Sequence, residues 1–218
     1  MKKKLLSLLS ALLLLSVTAC GNTPQVTDNS APGTDTNAQT GAVTPAAGST
    51  TEDAPATAGS KILVAYFSHS GNTRTVAEAI QTHLNTDIFE ITTVTPYSED
   101  YDTVVEEAQA EQRQNARPAL AAQVENMEQY DTVFLGYPNW WGDMPMALYT
   151  FLDTYDLSGK TVVPFVTSGG SGFSGTVDTI AAAEPEAVML EGLALSGDSV
   201  DSAGDEINAW LDGLSLPA

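Results

Sequence analysis

ILVAYFSHSGNT, residues 62–73, runs from six consecutive apolar positions into a short turn of hydroxyl, amide and glycine residues. A helix-like stretch follows at 74–84, with Val76, Ala77, Ile80 and Leu84 on one stripe. An unbroken apolar run has both faces to bury, which marks a central strand of a parallel sheet. Strand, polar turn, helix is an order that builds an anion cradle. The first N–H groups of a helix lack intrahelical partners and its dipole favours negative charge there. Gly71 allows close backbone approach; Ser68, Ser70 and Thr73 add neutral hydroxyls, Asn72 adds an amide, and His69 lies beside them. The same residue types also serve ordinary strand-to-helix turns and caps, so these six positions by themselves admit either use. They are not a Walker loop, because no Gly-Lys-Ser/Thr closes them, nor a Gly-x-Gly-x-x-Gly fingerprint.

Working outward, the pattern alternates. Apolar stretches at 87–93, 132–137, 161–166 and 187–190 predict further strands, although Pro164 is unusual inside one. Helices are expected at 102–115, from about 145 with Asp143 as cap and Pro145 in the first turn, at 175–183 and at 202–213. This predicts an α/β fold: a doubly wound, five-stranded parallel sheet with helices on both faces. Ligands of such sheets sit beyond the carboxyl ends of the strands. Three unusual loops fall at those ends. They are 68–73; Pro138, Asn139, Trp140, Trp141 and Gly142; and Thr167, Ser168, Gly169, Gly170, Gly172 and Phe173. The first suits a phosphate, the second offers two indoles for stacking on a flat ring, and the third offers glycines that let backbone N–H groups approach heteroatoms. Phosphate at one end and a planar ring at the other describe a mononucleotide, and flavin mononucleotide (FMN) fits. The competing use of these residues is plain structure: one indole capping the core, and a Gly/Ser loop with no ligand.

The chain of 218 residues opens with Lys2, Lys3 and Lys4 and an apolar centre at 5–17. Residues 1–20 read as an export signal, too short and wrongly flanked for a membrane span. Their end, Val17-Thr18-Ala19-Cys20, resembles a bacterial lipobox, which implies cleavage before Cys20 and lipid on its sulfur; a plain secretory signal is the alternative. The expected location is outside the cytoplasm, lipid-anchored to the bacterial membrane. Cys20 is the only cysteine, so disulfides and thiol chemistry in the mature domain are excluded. Residues 21–60, rich in Thr, Ala, Pro, Gly and Ser, read as a flexible tether, leaving 61–218 as the folded domain. Eight Lys and Arg stand against 28 Asp and Glu, a formal charge of −20; without the three signal lysines it is five against 28, or −23. Nucleic acid and anionic lipid surfaces are poor partners for such a chain.

Here a family resemblance becomes explicit. Ser68-x-Ser70-Gly71-x-Thr73 after the first strand resembles the phosphate loop of flavodoxins, and the likeness covers about 61–214. The stretches 136–142 (GYPNWWG) and 167–172 (TSGGSG) resemble a short-chain flavodoxin-like subgroup of bacterial exported and lipid-anchored proteins. The resemblance implies strand order 2-1-3-4-5 and non-covalent FMN. It implies that Ser68, His69, Ser70, Gly71, Asn72 and Thr73 hold the phosphate, that 138–142 pack on the ring, and that 167–172 with Phe173 line its other edge. It further implies an electron carrier that meets a redox partner protein with a basic docking patch. An FMN-dependent NAD(P)H:quinone-type oxidoreductase and a flavin-free surface binding module are the alternatives.

Overall fold

The structure, a computed structural model, describes residues 60–217. The expected signal, Cys20 and tether lie outside the described residues. Strands β1 (Ile62–Tyr66), β2 (Asp87–Glu90), β3 (Thr132–Pro138) and β4 (Thr161–Ser168) pair in parallel in the order β2-β1-β3-β4. The fifth position is filled by two short strands, β5 (Val188–Met189) and β6 (Leu193–Ser196), both parallel to β4. The order is therefore the 2-1-3-4-5 expected, with its last strand in two pieces.

Pro164 explains the break. The Lys160 and Val162 carbonyls accept from Val188 N and Leu190 N, so alternate residues of β4 turn their peptide groups toward the fifth position. Pro164 is next in that series and has no N–H to offer. The chain bends away there and rejoins at Leu193 opposite Phe165. Gly192 makes the passage feasible, since a Cβ on it would lie 2.5 Å from the Pro164 carbonyl oxygen and 2.6 Å from the Phe173 ring.

Five helices cover the sheet: α1 (Asn72–Leu84), α2 (Tyr101–Gln114), α3 (Met146–Thr154), α4 (Thr176–Ala183) and α5 (Gly204–Gly213). The two-residue period of the strands feeds two separate cores. Val64, Tyr66, Phe134, Val163 and Phe165 face α1 and α5, meeting Val76, Ile80, Ile207 and Leu211. Leu63, Ala65, Val133, Leu135 and Val162 face α3 and α4, meeting Leu148, Phe151 and Ile180. Both faces of β1, β3 and β4 are thus dry, as their apolar runs require.

Boundaries differ from expectation where the chain finds other partners. β2 stops at Glu90 rather than 93, because 92–94 leave β1 and bond to 119–121 through Ala121 N to Thr92 O and Val94 N to Ala119 O, each 2.8 Å. β4 continues to Ser168, so Thr167 and Ser168 belong to a strand end rather than a loop. Pro145, not Asp143, occupies the cap position of α3; the Asp143 carboxylate accepts from Met144 N instead, at 2.8 Å.

Gly136 carries the tightest of the packing constraints in β3. A Cβ there would sit 2.0 Å from the buried Phe165 ring. Gly136→Ala is expected to lower unfolding free energy by about 1–3 kcal/mol through overpacking, with Gly136→Ala/Phe165→Leu recovering part of the loss. Urea denaturation of the two variants checks this.

Candidate functional site

The three expected loops are sutured to one another at the carboxyl ends of β1, β3 and β4. Asn139 does most of the joining. Its N–H donates to the Thr167 carbonyl (2.8 Å), its Nδ2 to Gly172 O (2.8 Å) and Ser174 Oγ (2.9 Å), and its Oδ1 accepts from Gly142 N (3.0 Å). Thr73 Oγ1 and Thr167 Oγ1 lie 2.9 Å apart in a buried hydroxyl pair, tying the first loop to the third. Asn72 leans on the end of β6, where a Cβ on Gly197 would lie 2.6 Å from its Nδ2.

The first loop is built as a donor cradle. Gly71, at φ +93°, turns the chain into α1, a conformation that costs an L side chain roughly 1–2 kcal/mol. Ser68 Oγ accepts from Arg74 N at 3.2 Å, and the Gly71 carbonyl accepts from Thr75 N at 3.0 Å. Among the described residues none accepts from the amide N–H of Ser70, Gly71, Asn72 or Thr73. The first turn of α1 carries no acid. Arg74 is the nearest cation, but Glu90 already engages its guanidinium. Unpaired amides, neutral hydroxyls and a half-neutralised arginine fit a phosphomonoester dianion held at low local charge.

The second loop is a two-residue reversal. Trp140 N donates to Asp143 O (2.7 Å) and Asp143 N to Trp140 O (3.0 Å). Trp141 and Gly142 between them have φ of +57° and +79°, the signature of a type I′ turn. The two indoles part company. Trp140 packs edge-to-face on Phe67, Tyr97 and His69 with centroids 5.4, 5.2 and 5.8 Å apart. Trp141 is 52% exposed, and its Nε1 donates to the Val105 carbonyl of α2 at 3.2 Å.

His69, Ser70, Pro138, Asn139, Trp140 and Trp141 share one cleft of about 390 Å³, closed on its far side by Tyr101, Val104, Val105 and Ala108 of α2. This cleft opens between the ends of β1 and β3, which is where the strand order reverses. A second cleft of about 680 Å³ adjoins it across His69, Ser70 and Tyr101, and is floored by Phe67, Ile91 and Tyr97. The third loop lines neither. Ser168 Oγ accepts from Gly170 N (3.2 Å) and Gly172 N (2.9 Å), so those two amides are spent inside the loop. Phe173 packs on the core and against Gly192. The structure brings the first and second loops into one cavity and makes the third their buttress.

Two contributions escaped the sequence pattern. α2 supplies an entire wall, and Tyr97 holds the aromatic cluster together. Tyr97 follows the second strand, whose carboxyl end also points at the crevice, and Pro96-Tyr97 was the signal available there. Its hydroxyl donates to Glu111 Oε2 at 2.6 Å, while Glu107 Oε2 accepts from Ser98 N at 3.0 Å, and His69 Nε2 donates to the Ser98 carbonyl at 2.8 Å. Burial, then the contact with Glu111, drives the Tyr97 phenol well above its ordinary range, so it stays a donor. Burial likewise raises the Glu111 carboxyl, against the lowering effect of the Tyr97 hydroxyl.

The family profile of the flavodoxins matches residues 61–214. A solved structure of a candidate flavoprotein from Bacteroides eggerthii is similar at TM-score 0.64 and 35% identity, over 72% of this chain and 99% of its own. Another, from Bacteroides uniformis, gives 0.64 and 30% over 71% of this chain and 99% of its own. A flavoprotein in complex with FMN from Lactobacillus acidophilus gives 0.56 and 23%, over 65% of this chain and 97% of its own; at that identity the likeness speaks for the fold alone. No curated protein matches the chain.

A raised folded-state pKa at Glu111 means the native protein holds that proton to higher pH than the unfolded chain. Its contribution to stability is therefore present below the ordinary value of 4.5 and is lost as pH rises from there through the raised value. Glu111→Gln, which keeps an acceptor for Tyr97, should remove this loss: its stability gain over wild type should be larger at pH 7 than at pH 4. Urea midpoints at the two pH values read the difference.

Proposed function

The chain belongs to the flavodoxin family, and on that premise we propose that it binds FMN in the crevice between β1 and β3 and serves as an electron carrier. The observation that carries this is the meeting of two things in one rim: amides of Ser70, Gly71, Asn72 and Thr73 without acceptors among the described residues, and a cleft beside Trp140 and Trp141. The phosphate belongs on those amides, with the Ser70 hydroxyl beside them. Thr73 acts from behind, through its buried pair with Thr167. Pro138, Trp140 and Trp141 supply one wall for the ring and Val104, Val105 and Ala108 the other. FMN, when bound, supplies reversible uptake of one or two electrons.

The protein's own part is binding, orientation and field. Among the described residues no group of three His, Cys, Asp or Glu is placed to hold a metal ion. Carboxylates crowd the rim: Glu99, Asp100 and Asp102 flank Tyr101, which borders both clefts. Negative charge disfavours added electrons on a nearby ring and lowers its potential. The same charge steers a basic redox partner into a brief, salt-sensitive encounter. A turnover enzyme using NAD(P)H would need cations for a second phosphorylated ligand, and the nearest, Arg74, is paired with Glu90. The lipobox at Cys20 and the tether at 21–60 would hold this domain outside the cytoplasm near a membrane, where the partner would be met.

Absorbance titration of the purified chain with FMN tests the assignment: a bound flavin spectrum is expected, and a colourless protein at saturating FMN refutes it. Asn72→Asp sharpens the test. It is nearly isosteric, so packing against Gly197 survives, and an acid in the first turn should stabilise the apoprotein by about 0.3–1 kcal/mol through the helix dipole. The same carboxylate should oppose the phosphate and weaken FMN by about tenfold or more. Opposite signs for stability and affinity are the expected result of paired thermal-melt and FMN-titration measurements.

A further inference from the structure

We propose that Asp143 and Tyr149 act as positioning residues that hold the 140–143 reversal, and with it the Trp141 indole, over the flavin cleft. The inference rests on taking 138–142 as the ring-facing loop.

Trp141 sits at φ +57°, where a bulky L residue is strained. Such strain persists only when the surroundings over-determine it, and a type I′ turn is ordinarily built from Asn, Asp or Gly rather than tryptophan. Three attachments supply the constraint. Asn139 Oδ1 takes Gly142 N at 3.0 Å, and Trp141 Nε1 reaches Val105 O at 3.2 Å across the cleft mouth. The third is the Asp143 carboxylate. Tyr149 Oη donates to it at 3.0 Å (Oδ1) and 2.9 Å (Oδ2), and Met144 N donates to Oδ1 at 2.8 Å. The Tyr149 ring in turn lies under the Arg117 guanidinium, 5.0 Å from its centroid, and Arg117 Nε donates to Asp153 Oδ2 at 2.5 Å. A strap thus runs from α3 through Tyr149 and Asp143 to the backbone of the turn. Burial, then the bond to Asp143, pushes the Tyr149 phenol far above its ordinary range, so the strap keeps one direction of donation at any physiological pH.

Neither residue lines the cleft, which separates their role from direct contact with a ligand. What they govern is the rate at which the outer indole wall opens, and affinity differences of this kind appear in dissociation.

The test uses the full chain and two readouts. The first is acrylamide quenching of indole emission in FMN-free protein; the second is the FMN dissociation rate. Tyr149→Phe keeps the ring beneath Arg117 and deletes only the hydroxyl. It is expected to raise quenching measurably and FMN dissociation about tenfold, as loss of a hydrogen bond to a charged group implies. Asp143→Ala should match it, whereas Asp143→Asn, whose amide oxygen still accepts, should stay within about threefold of wild type. A purely structural role would lower the urea midpoint of all three while leaving quenching and dissociation at wild-type values, and that result overturns the proposal. If wild-type protein binds no FMN, the cleft assignment fails on that ground, and the quenching series still decides for or against the strap.

Discussion

Asn139 spends its backbone N–H, both amide donations and its amide oxygen on joining two chain reversals. The rest of the rim depends on this. A parallel sheet delivers its strand ends side by side, but the loops that leave them are free to splay. With Asn139 bridging 142 to 172, and the Thr73–Thr167 hydroxyl pair bridging the first loop to β4, the three reversals form one connected wall. The Thr73–Thr167 pair is buried and therefore costly to separate, because each hydroxyl left alone loses its compensation. The rim is accordingly tied down where it meets the sheet, while Trp141 and Tyr101 are exposed at its outer edge.

Stiffness and vacancy are distributed with some economy along the three loops. The third loop consumes the N–H groups of Gly170 and Gly172 on Ser168 and so acts as a buttress. In the first, no acceptor among the described residues takes the amides of Ser70, Gly71, Asn72 or Thr73. Between them stands an aromatic cluster in which Trp140 meets Phe67, Tyr97 and His69 edge-to-face and Phe67 meets Tyr97 in the same way. Each such pair adds roughly 0.5–1.5 kcal/mol beyond burial, so Trp140 is a fixed surface. Trp141, next in sequence, is strained and exposed. One dipeptide thereby provides a packed inner wall and an exposed outer one.

The acidic balance has two consequences that the structure separates. Some carboxylates are structural partners: Glu90 on Arg74, Glu111 on Tyr97, Glu107 on Ser98 N, Asp143 on Tyr149. Others, such as Glu99 and Asp102, are exposed at the rim and contribute field rather than contacts.

What the amino-acid order determined by itself was the sheet and which loops lie at its carboxyl edge. Continuous apolar runs at 62–67, 132–137 and 161–166 could only be strands buried on both faces, and the turn after each is short, so its residues had to lie at the carboxyl edge. That placed 68–73 and 138–142 at the crevice end of the sheet, since local order sets them there whatever packs around. Even the anomaly of Pro164 was visible, although its effect, a fifth strand broken at Gly192, depended on a neighbour 28 residues away. Tertiary structure alone decided the rest. α2 forms a wall and Tyr97 a hub because helices dock by the face left uncovered elsewhere, which no window of sequence records. Phe173 turns to the core and Thr73 into a buried pair because Gly192 and Thr167 wait there. Side-chain direction at a loop is set by whichever distant group completes its hydrogen bonds or fills its volume, and that information exists only once the chain has closed on itself.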